Sequence, residues 1–423
     1  MAPPPPPKRT VVQLLREFSI PLLAGVAIGL VWANLDPKGY VRMLHASPFG
    51  DESPWNFHFF ANDIFMVFFF GIATKEITEA CLPGGALHPL RRAVNPLCAT
   101  LGGVLGPAAV YTLVVALLGE PAIGRGWGVP TATDIALAWL AARLVFGERH
   151  PAVSFLLLLA VADDGIGLAI IAIFYPDPSH PVVPAYLGGV VAAMAIAYLL
   201  RRLRVQNPWP YLLVPGVLSW VSLHFGSLHP ALALVPVVPF MPSARRDAGL
   251  FVEIEGRPQR DALSRFEHAF KRPVDFGLLM FGVANAGVTF SDVGPATLAV
   301  ALALVVGKPL GITLFGSAAR LFGFPLPHGM TTRSLVVAGV VAGMGLTVAL
   351  FVASVAFTDP VHQGAAKMGA LASGGSALLA LALGRLLGVK DGGVPSDVPS
   401  SRKLVHRGSG WRRFGRWVRG PRR

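Results

Sequence analysis

The chain has 423 residues, of which 53% are hydrophobic and only 14% are charged. Because soluble domains carry about 25% charged residues, this composition excludes a string of soluble domains and indicates one polytopic membrane domain. The formal net charge of +13 is concentrated in short loops and the C-terminal tail, which argues against a nucleic-acid-binding protein.

The sequence divides into three parts. Residues 1–10, MAPPPPPKRT, are rich in proline and basic, and we expect them to be disordered. Residues 11–389 are predicted to form the membrane domain, and residues 390–423 a basic cytoplasmic tail. The apolar stretch 11–35 is longer than the core of a signal peptide and is followed by further spans, so it is predicted to remain as the first helix.

Apolar stretches long enough to form membrane-spanning helices recur along the chain. Together they predict an all-α polytopic membrane protein with about twelve transmembrane helices, some of them short. After the first, they lie near 55–77, 94–118, 122–146, 151–174, 183–200, 209–224, 228–241, 273–291, 294–318, 332–357 and 364–388. The one competing pattern is in 36–54, where a small hairpin is predicted.

Basic residues indicate the orientation of these spans. Lys8, Arg9 and Arg16 precede the first helix, and most of the other lysines and arginines fall on the same side when crossings are counted. Both termini are therefore predicted to be cytoplasmic. The tail ends in WRRFGRWVRGPRR, which has two interpretations. It docks onto anionic lipid, or it is a disordered tail that only reinforces the topology, the interpretation that we favour.

The fifth span carries two acids near its middle. It reads LLLLAVADDGIGLAIIAIF over 156–174, with Asp163 and Asp164 adjacent. A helix that starts near residue 152 places Asp163 about 16 Å along its axis, half of a ~30 Å hydrocarbon core. A carboxylate there costs about 2.5–3.5 kcal/mol, and Leu or Ala would pack better. These acids therefore indicate an ion or proton site.

Two other spans are interrupted. The fourth reads GRGWGVPTATDIALAWLAARL, in which Thr131, Thr133 and Asp134 resemble a helix start placed at membrane depth. The eleventh has three glycines (339, 343 and 345) before Thr347, a pattern that close helix packing explains equally well. Unwound backbone at that depth persists only where protein or a water-filled cavity surrounds it.

Two further charges lie within spans. Lys308 is near the centre of the tenth span, next to Pro309, and Asp63 lies in the second. With Asp134, Asp163 and Asp164 they would cost roughly 12–17 kcal/mol if unpaired, so we expect them to be paired or hydrated together. Neighbouring residues on a helix point about 100° apart. One aspartate can therefore face an ion while the other meets a cationic partner such as Lys308.

These features can supply the ligands of a sodium ion. Asp164, the Thr133 hydroxyl and carbonyls of the broken backbone provide several oxygen atoms. Crowded carboxylates repel one another and need either a cation or protons to neutralise them. A site that holds Na⁺ or protons, but not both, is the site of an exchanger.

The sequence resembles the NhaA-type sodium/proton antiporter family over about residues 10–390. The resemblance is carried by TATDIA, by the ADD pair followed by GLAIIAIFY, by ANAGV (284–288), by GKPLGI (307–312) and by GLTVALFVASVAF, in that order along the chain. It implies an inverted-repeat fold in which the broken fourth and eleventh helices cross at mid-membrane. It also implies a homodimer built partly through 36–54, and electrogenic exchange driven inward by protons across the bacterial inner (plasma) membrane.

By position, the resemblance assigns ion- and proton-binding roles. Asp163 and Asp164 match the essential aspartate pair. Asp134 and Thr133 match the acid and threonine at the break, Lys308 the lysine that pairs with Asp163, and Asp63 the aspartate of the second helix. Asp163, Asp164 and Thr133 are the expected ligands of the transported Na⁺ or Li⁺. No other cofactor and no nucleic acid is expected.

A pH-sensing region near the cytoplasmic mouth is implied as well. Its candidates are Glu76, Arg265, Glu267, His268 and His229. The charge order after Glu76 differs from the family pattern, Ser264 replaces a basic residue, and Pro230 and Leu234 change the surroundings of His229. A lone histidine such as His229 is more often structural.

The predicted function is a pH-regulated antiporter that exports Na⁺ or Li⁺ for protons by alternating access, a secondary transporter rather than an enzyme. In one version Asp164 carries one proton and the Asp163–Lys308 pair opens to carry another. In the other version both aspartates carry protons and Lys308 is structural. The alternatives are a proton- or sodium-coupled organic-anion symporter on a related fold and an intramembrane aspartyl protease. The protease would place its two acids on separate helices.

Overall fold

The computed structural model describes residues 20–50, 53, 55–83, 85–88, 90–148, 150–176, 181–243 and 261–389. The segments predicted to be a disordered start (1–10) and a basic tail (390–423) lie outside the described residues. Within the described ranges the chain is all-helical and contains no β-strand.

The main helices are numbered in chain order. They are α1 (Ile20–Leu35), α2 (Pro37–His45), α3 (Phe57–Ala80), α4 (Leu90–Leu118), α5 (Ile135–Phe146), α6 (Pro151–Phe174), α7 (Pro184–Arg202), α8 (209–225), α9 (Ala262–Asn285), α10 (Pro295–Leu321), α11 (Thr332–Ala342), α12 (Thr347–Ala356) and α13 (Pro360–Leu386).

Six of these helices are long and apolar enough to cross a membrane on their own, namely α3, α4, α6, α7, α10 and α13. Two bent pairs raise the number of such spans in the described ranges to eight. The helix α1 is apolar but shorter, with 16 residues. The described residues therefore support a polytopic all-α protein without fixing the number of spans at twelve.

Two predicted elements are wrong. The stretch 228–241 contains only the short 3₁₀ turns Pro230–Leu232 and Val238–Phe240 in place of a helix, because its prolines remove backbone donors and clash with a continuing helix. In 36–54 the described residues form α2 and no hairpin. Asp36 caps this helix by accepting the Gly39 N–H at 2.9 Å, and proline occupies its first position.

Both interrupted spans are broken in the structure. The 3₁₀ segment (Pro121–Thr131) and α5 meet at an angle of 60°, and α11 and α12 meet at 52°. The first break is extended at Ala132, and Asp134 then caps α5 by accepting the Leu137 N–H at 3.1 Å. The second break is the four residues 343–346, which include two glycines.

Three helices contain a π-helical turn. These turns are Phe60–Phe65 in α3, Leu212–Gly216 in α8 and Ala303–Gly307 in α10. Pro215 lies inside the second and Pro309 follows the third, as expected where a proline removes a helical donor. The first turn contains Asp63, and the third ends directly before Lys308. Two of the charged residues singled out from the sequence therefore lie in or directly after a widened turn.

Glycines bring α10 close to α4. A Cβ atom added to Gly102 of α4 would overlap the carbonyl oxygen of Gly311 of α10, and one added to Gly311 would overlap the carbonyl of Gly102. Small residues of this kind allow backbones to approach within a membrane domain. The approach fixes the height and rotation of α10, and so of Lys308.

Candidate ion-binding site

The Asp163 carboxylate pairs with a lysine from another helix. Asp163 on α6 and Lys308 on α10 are both fully buried, and Lys308 Nζ lies 2.8 Å from Asp163 Oδ2. The same ammonium group donates to the carbonyl oxygen of Thr131, the last residue of the 3₁₀ segment. The ion pair that the resemblance implied is therefore present, and it extends to the broken backbone.

Each aspartate of the pair has an unused oxygen. The Oδ1 atoms of Asp163 and Asp164 are buried and have no hydrogen-bond partner within the described structure. Buried carboxylate oxygens are nearly always paired, so two neighbouring orphans point to a site for a proton or a cation. Asp164 also lines a small pocket whose other walls are Phe69, Phe70, Ala73, Leu168 and Val348.

The Asp134 carboxylate joins the two broken spans. One oxygen caps α5, and the other accepts the Thr347 N–H at 3.3 Å and also the Thr347 hydroxyl hydrogen. A carboxylate is stabilised at a helix N-terminus by unpaired N–H groups and by the helix dipole. Asp134 serves the N-termini of α5 and α12 at once, so its position depends on both.

Backbone and hydroxyl contacts complete the crossing. The Asp134 N–H donates to the Met344 carbonyl at 2.8 Å, and the Thr133 hydroxyl donates to the Ala342 carbonyl at 3.0 Å. Thr133 is buried and lies against the Asp163 carboxylate. The structure thus brings Thr133, Asp134, Asp163, Asp164 and Lys308 together where the two breaks meet.

Asp63 lies outside this cluster. Among the described residues, His229 lies beside it, with Nδ1 3.8 Å from Asp63 Oδ1. The same Nδ1 accepts the Ala231 N–H at 3.2 Å, so His229 caps a 3₁₀ turn. The described contacts therefore group Asp63 with His229 and the 3₁₀ turn, away from the crossing.

The other four candidate pH-sensing residues divide into two groups. Glu76 on α3 and Glu267 on α9 both contact Lys75, at 3.2 and 2.7 Å, and Glu79 contacts it at 2.8 Å. Lys75 is buried, so this cluster ties α3 to α9. Arg265 and His268 lie on the exposed face of α9 instead.

Sequence reasoning missed three partners in these clusters. The Thr131 carbonyl is a backbone group and has no residue-type signal. The second contact of the Asp134 carboxylate is with Thr347, which lies 213 residues further along the chain. The Lys75–Glu79 pair has the i,i+4 spacing of a helical ion pair, and that spacing was a usable signal.

The oxygen atoms at the crossing suit a hard monovalent ion. Two carboxylates, a threonine hydroxyl and carbonyls of unwound backbone are the ligand types that such cations prefer. Among the described residues no group of three or more His, Cys, Asp or Glu side chains could hold a resident metal ion. The crossing therefore offers oxygen ligands that either a monovalent cation or protons can occupy.

Comparisons with known proteins identify the family of this chain. The family model described as Na⁺/H⁺ antiporter 1 matches residues 10–386. A protein of Geobacter sulfurreducens named Na(+)/H(+) antiporter NhaA is 58% identical over 382 residues, which cover 90% of this chain and 99% of that one. A protein of the same name from Jannaschia sp. is 43% identical over 418 residues, with 90% and 98% covered.

The fold has a counterpart among solved structures. The sodium proton antiporter MjNhaP1 from Methanocaldococcus jannaschii, solved at pH 8, superposes with a TM-score of 0.53 at 15% identity, covering 91% of this chain and all of that chain. At this identity the likeness concerns the fold alone. The family match spans most of the chain and includes every residue of the crossing. The chain is therefore a member of the Na⁺/H⁺ antiporter 1 family.

Proposed function

We propose that this chain is an electrogenic antiporter that exports Na⁺ or Li⁺ in exchange for protons by alternating access. It is a secondary transporter that uses no cofactor beyond the transported ions. The observation that carries the proposal is the buried pair of Asp163 and Asp164, whose Oδ1 atoms both lack a described partner. Lys308 neutralises Asp163 only. Family membership supports the identity of the ions.

Competition for the same oxygens drives the exchange. The Lys308 ammonium occupies Asp163 Oδ2 and the Thr131 carbonyl, two ligands that a Na⁺ ion would also use. When Na⁺ binds to Asp164, Asp163 and Thr133, the like charge of the ion displaces protons or the ammonium group. When Na⁺ leaves on the other side, protons or Lys308 restore neutrality. A site occupied by one species at a time couples the two fluxes.

The orientation follows from the positive-inside rule. In the bacterial inner membrane with both termini cytoplasmic, the end of α3 that carries Lys75, Glu76 and Glu79 faces the cytoplasm, and Glu267 of α9 lies beside it. Regulation by pH is assigned to this cluster, together with the exposed Arg265 and His268. The chain is proposed to be a homodimer, with the basic tail on the cytoplasmic side.

Ion flux in reconstituted vesicles tests the exchange. A Na⁺ or Li⁺ gradient applied without organic solute is expected to move protons through the wild type, whereas Asp164→Asn is expected to abolish this flux because the remaining carboxylate cannot balance the cation. Proton flux that requires an organic anion would favour symport. Equal activity of wild type and Asp164→Asn would contradict the proposal.

The two proton-carrying versions are separated by Lys308→Met. If the Asp163–Lys308 pair carries one of the protons, the variant is expected to move less charge per cycle, because one carrier is lost. Charge movement on a solid-supported membrane measures this directly. Unchanged electrogenicity would assign both protons to the aspartates and leave Lys308 a structural role.

A further inference from the structure

The hydroxyl group of Tyr175 is built into the backbone of the broken span. Tyr175 follows α6 directly, and its side chain is 2% exposed. Its hydroxyl accepts the Gly128 N–H at 2.8 Å and donates to the Arg125 carbonyl at 2.8 Å. Residues 125 and 128 are three apart, which is the pair that a 3₁₀ turn joins. The hydroxyl therefore bridges one rung of the 3₁₀ segment.

Other contacts hold the same segment. The Tyr111 hydroxyl donates to the Ile123 carbonyl at 2.8 Å, and the Arg125 guanidinium donates to the Pro176 carbonyl at 3.3 Å. A Cβ atom added to Gly128 would overlap the Tyr175 hydroxyl, whereas one added to Gly124 would meet open space. Glycine at 128 is thus required for the hydroxyl to reach the backbone.

The pitch of this segment determines where its last residue lies. A 3₁₀ helix rises about 2.0 Å per residue against about 1.5 Å in an α-helix. Over the 11 residues of Pro121–Thr131 the difference amounts to roughly 5 Å. Thr131 and its carbonyl therefore reach Lys308 only while the segment keeps its extended pitch.

Burial keeps the hydroxyl neutral. It raises the pKa of Tyr175 to about 12, mainly by desolvation. The phenol therefore stays protonated across the range in which bacteria grow, and both hydrogen bonds persist.

We propose that Tyr175 is a positioning residue for ion binding. Its hydroxyl, placed at the end of the helix that carries Asp163 and Asp164, sets the pitch of the 3₁₀ segment and so holds the Thr131 carbonyl and Thr133 at the ion site. This inference rests on the proposed antiport. The Tyr175 hydroxyl links α6, which carries the two aspartates, to the 3₁₀ segment of the broken span, so that the two move as one piece.

The test compares Tyr175→Phe with Tyr111→Phe in proteoliposomes. Each variant removes one hydroxyl bonded to the same segment, but only the first lies in the rung between residues 125 and 128. Tyr175→Phe is expected to raise the apparent KM for Na⁺ about fivefold, with Vmax within about twofold of the wild type. Tyr111→Phe is expected to leave KM unchanged. The thermal midpoint of each purified variant reports on folding.

A second pair keeps the inference testable if Tyr175→Phe folds poorly. In Gly128→Ala the added methyl group displaces the Tyr175 hydroxyl from the backbone, so this variant is expected to raise KM in the same way. Gly124→Ala, whose methyl group meets open space, is expected to leave KM unchanged. Equal KM values in Tyr175→Phe and the wild type, or equal rises in both tyrosine variants, would overturn the inference. Absence of Na⁺-dependent proton flux in the wild type would instead contradict the proposed function.

Discussion

Lys308 and Lys367 are both buried in the described structure, but their partners differ in charge. Lys308 has a carboxylate partner, Asp163, at 2.8 Å. Lys367 on α13 is 6% exposed, and its Nζ contacts only amide oxygens, those of Gln363 at 3.2 Å and of Asn285 at 3.5 Å. No carboxylate oxygen of the described ranges lies within ion-pair distance of it. A buried ammonium without a counter-charge is costly.

This contrast predicts opposite stability effects at the two lysines. Lys367→Met is expected to raise the stability by about 1 kcal/mol or more, because a buried charge without a partner is replaced by an apolar chain of similar length. Lys308→Met is expected to destabilise the protein by about 3–5 kcal/mol, because the carboxylate of Asp163 is left unpaired. Thermal unfolding of both variants in one detergent measures the difference. A Lys367→Met variant less stable than the wild type would mean that the amide contacts outweigh the desolvation.

At the residue scale the sequence was most informative about charge. Acids and a lysine in the middle of apolar stretches are conspicuous. Four of them (Asp134, Asp163, Asp164 and Lys308) meet at one crossing, together with Thr133. Asp63 did not join them, because distance along the membrane normal is readable from a sequence whereas the direction of a side chain around a helix with a π turn is not. Contacts made by backbone carbonyls, such as that of Thr131, leave no trace in residue types.

At the element scale prolines decided between correct and wrong predictions. The break before α5 was predicted from the Pro130–Thr131–Asp134 pattern, because a capping acid after a proline signals a new helix start. The stretch 228–241 contains three prolines, and only 3₁₀ turns form there. Hydrophobicity alone identified an apolar stretch there, but it does not report whether the backbone can continue as a helix.

Helix packing gives a prediction at this scale. Gly102→Ala is expected to destabilise the protein by about 1–3 kcal/mol, because the added methyl group meets the backbone of Gly311. The neighbouring Gly103→Ala is the matched control, since its methyl group meets the Ile312 side chain at 3.2 Å. There the gain in helix propensity of about 0.5–1 kcal/mol offsets the tighter contact. Thermal unfolding compares the two, and equal stability would contradict the close approach of α4 and α10.

At the scale of the whole molecule, the composition and the order of motifs were sufficient for the fold class and the family. They did not specify how remote segments share one group. The Asp134 carboxylate caps α5 and contacts Thr347 of α12, and Lys75 ties α3 to α9. These contacts join segments that are far apart in sequence, and Asp134 links the two breaks directly.

The central claim is that Na⁺ and protons compete for one buried site. Cation binding to carboxylates that hold protons must release those protons, so the apparent affinity depends on pH. Calorimetric titration of the purified protein with Na⁺, at several pH values and in buffers of different ionisation enthalpy, counts the protons released per ion. The account predicts release of about one to two protons per Na⁺ and an apparent Kd that rises as the pH falls. Na⁺ binding with no proton release and the same Kd at every pH would contradict it.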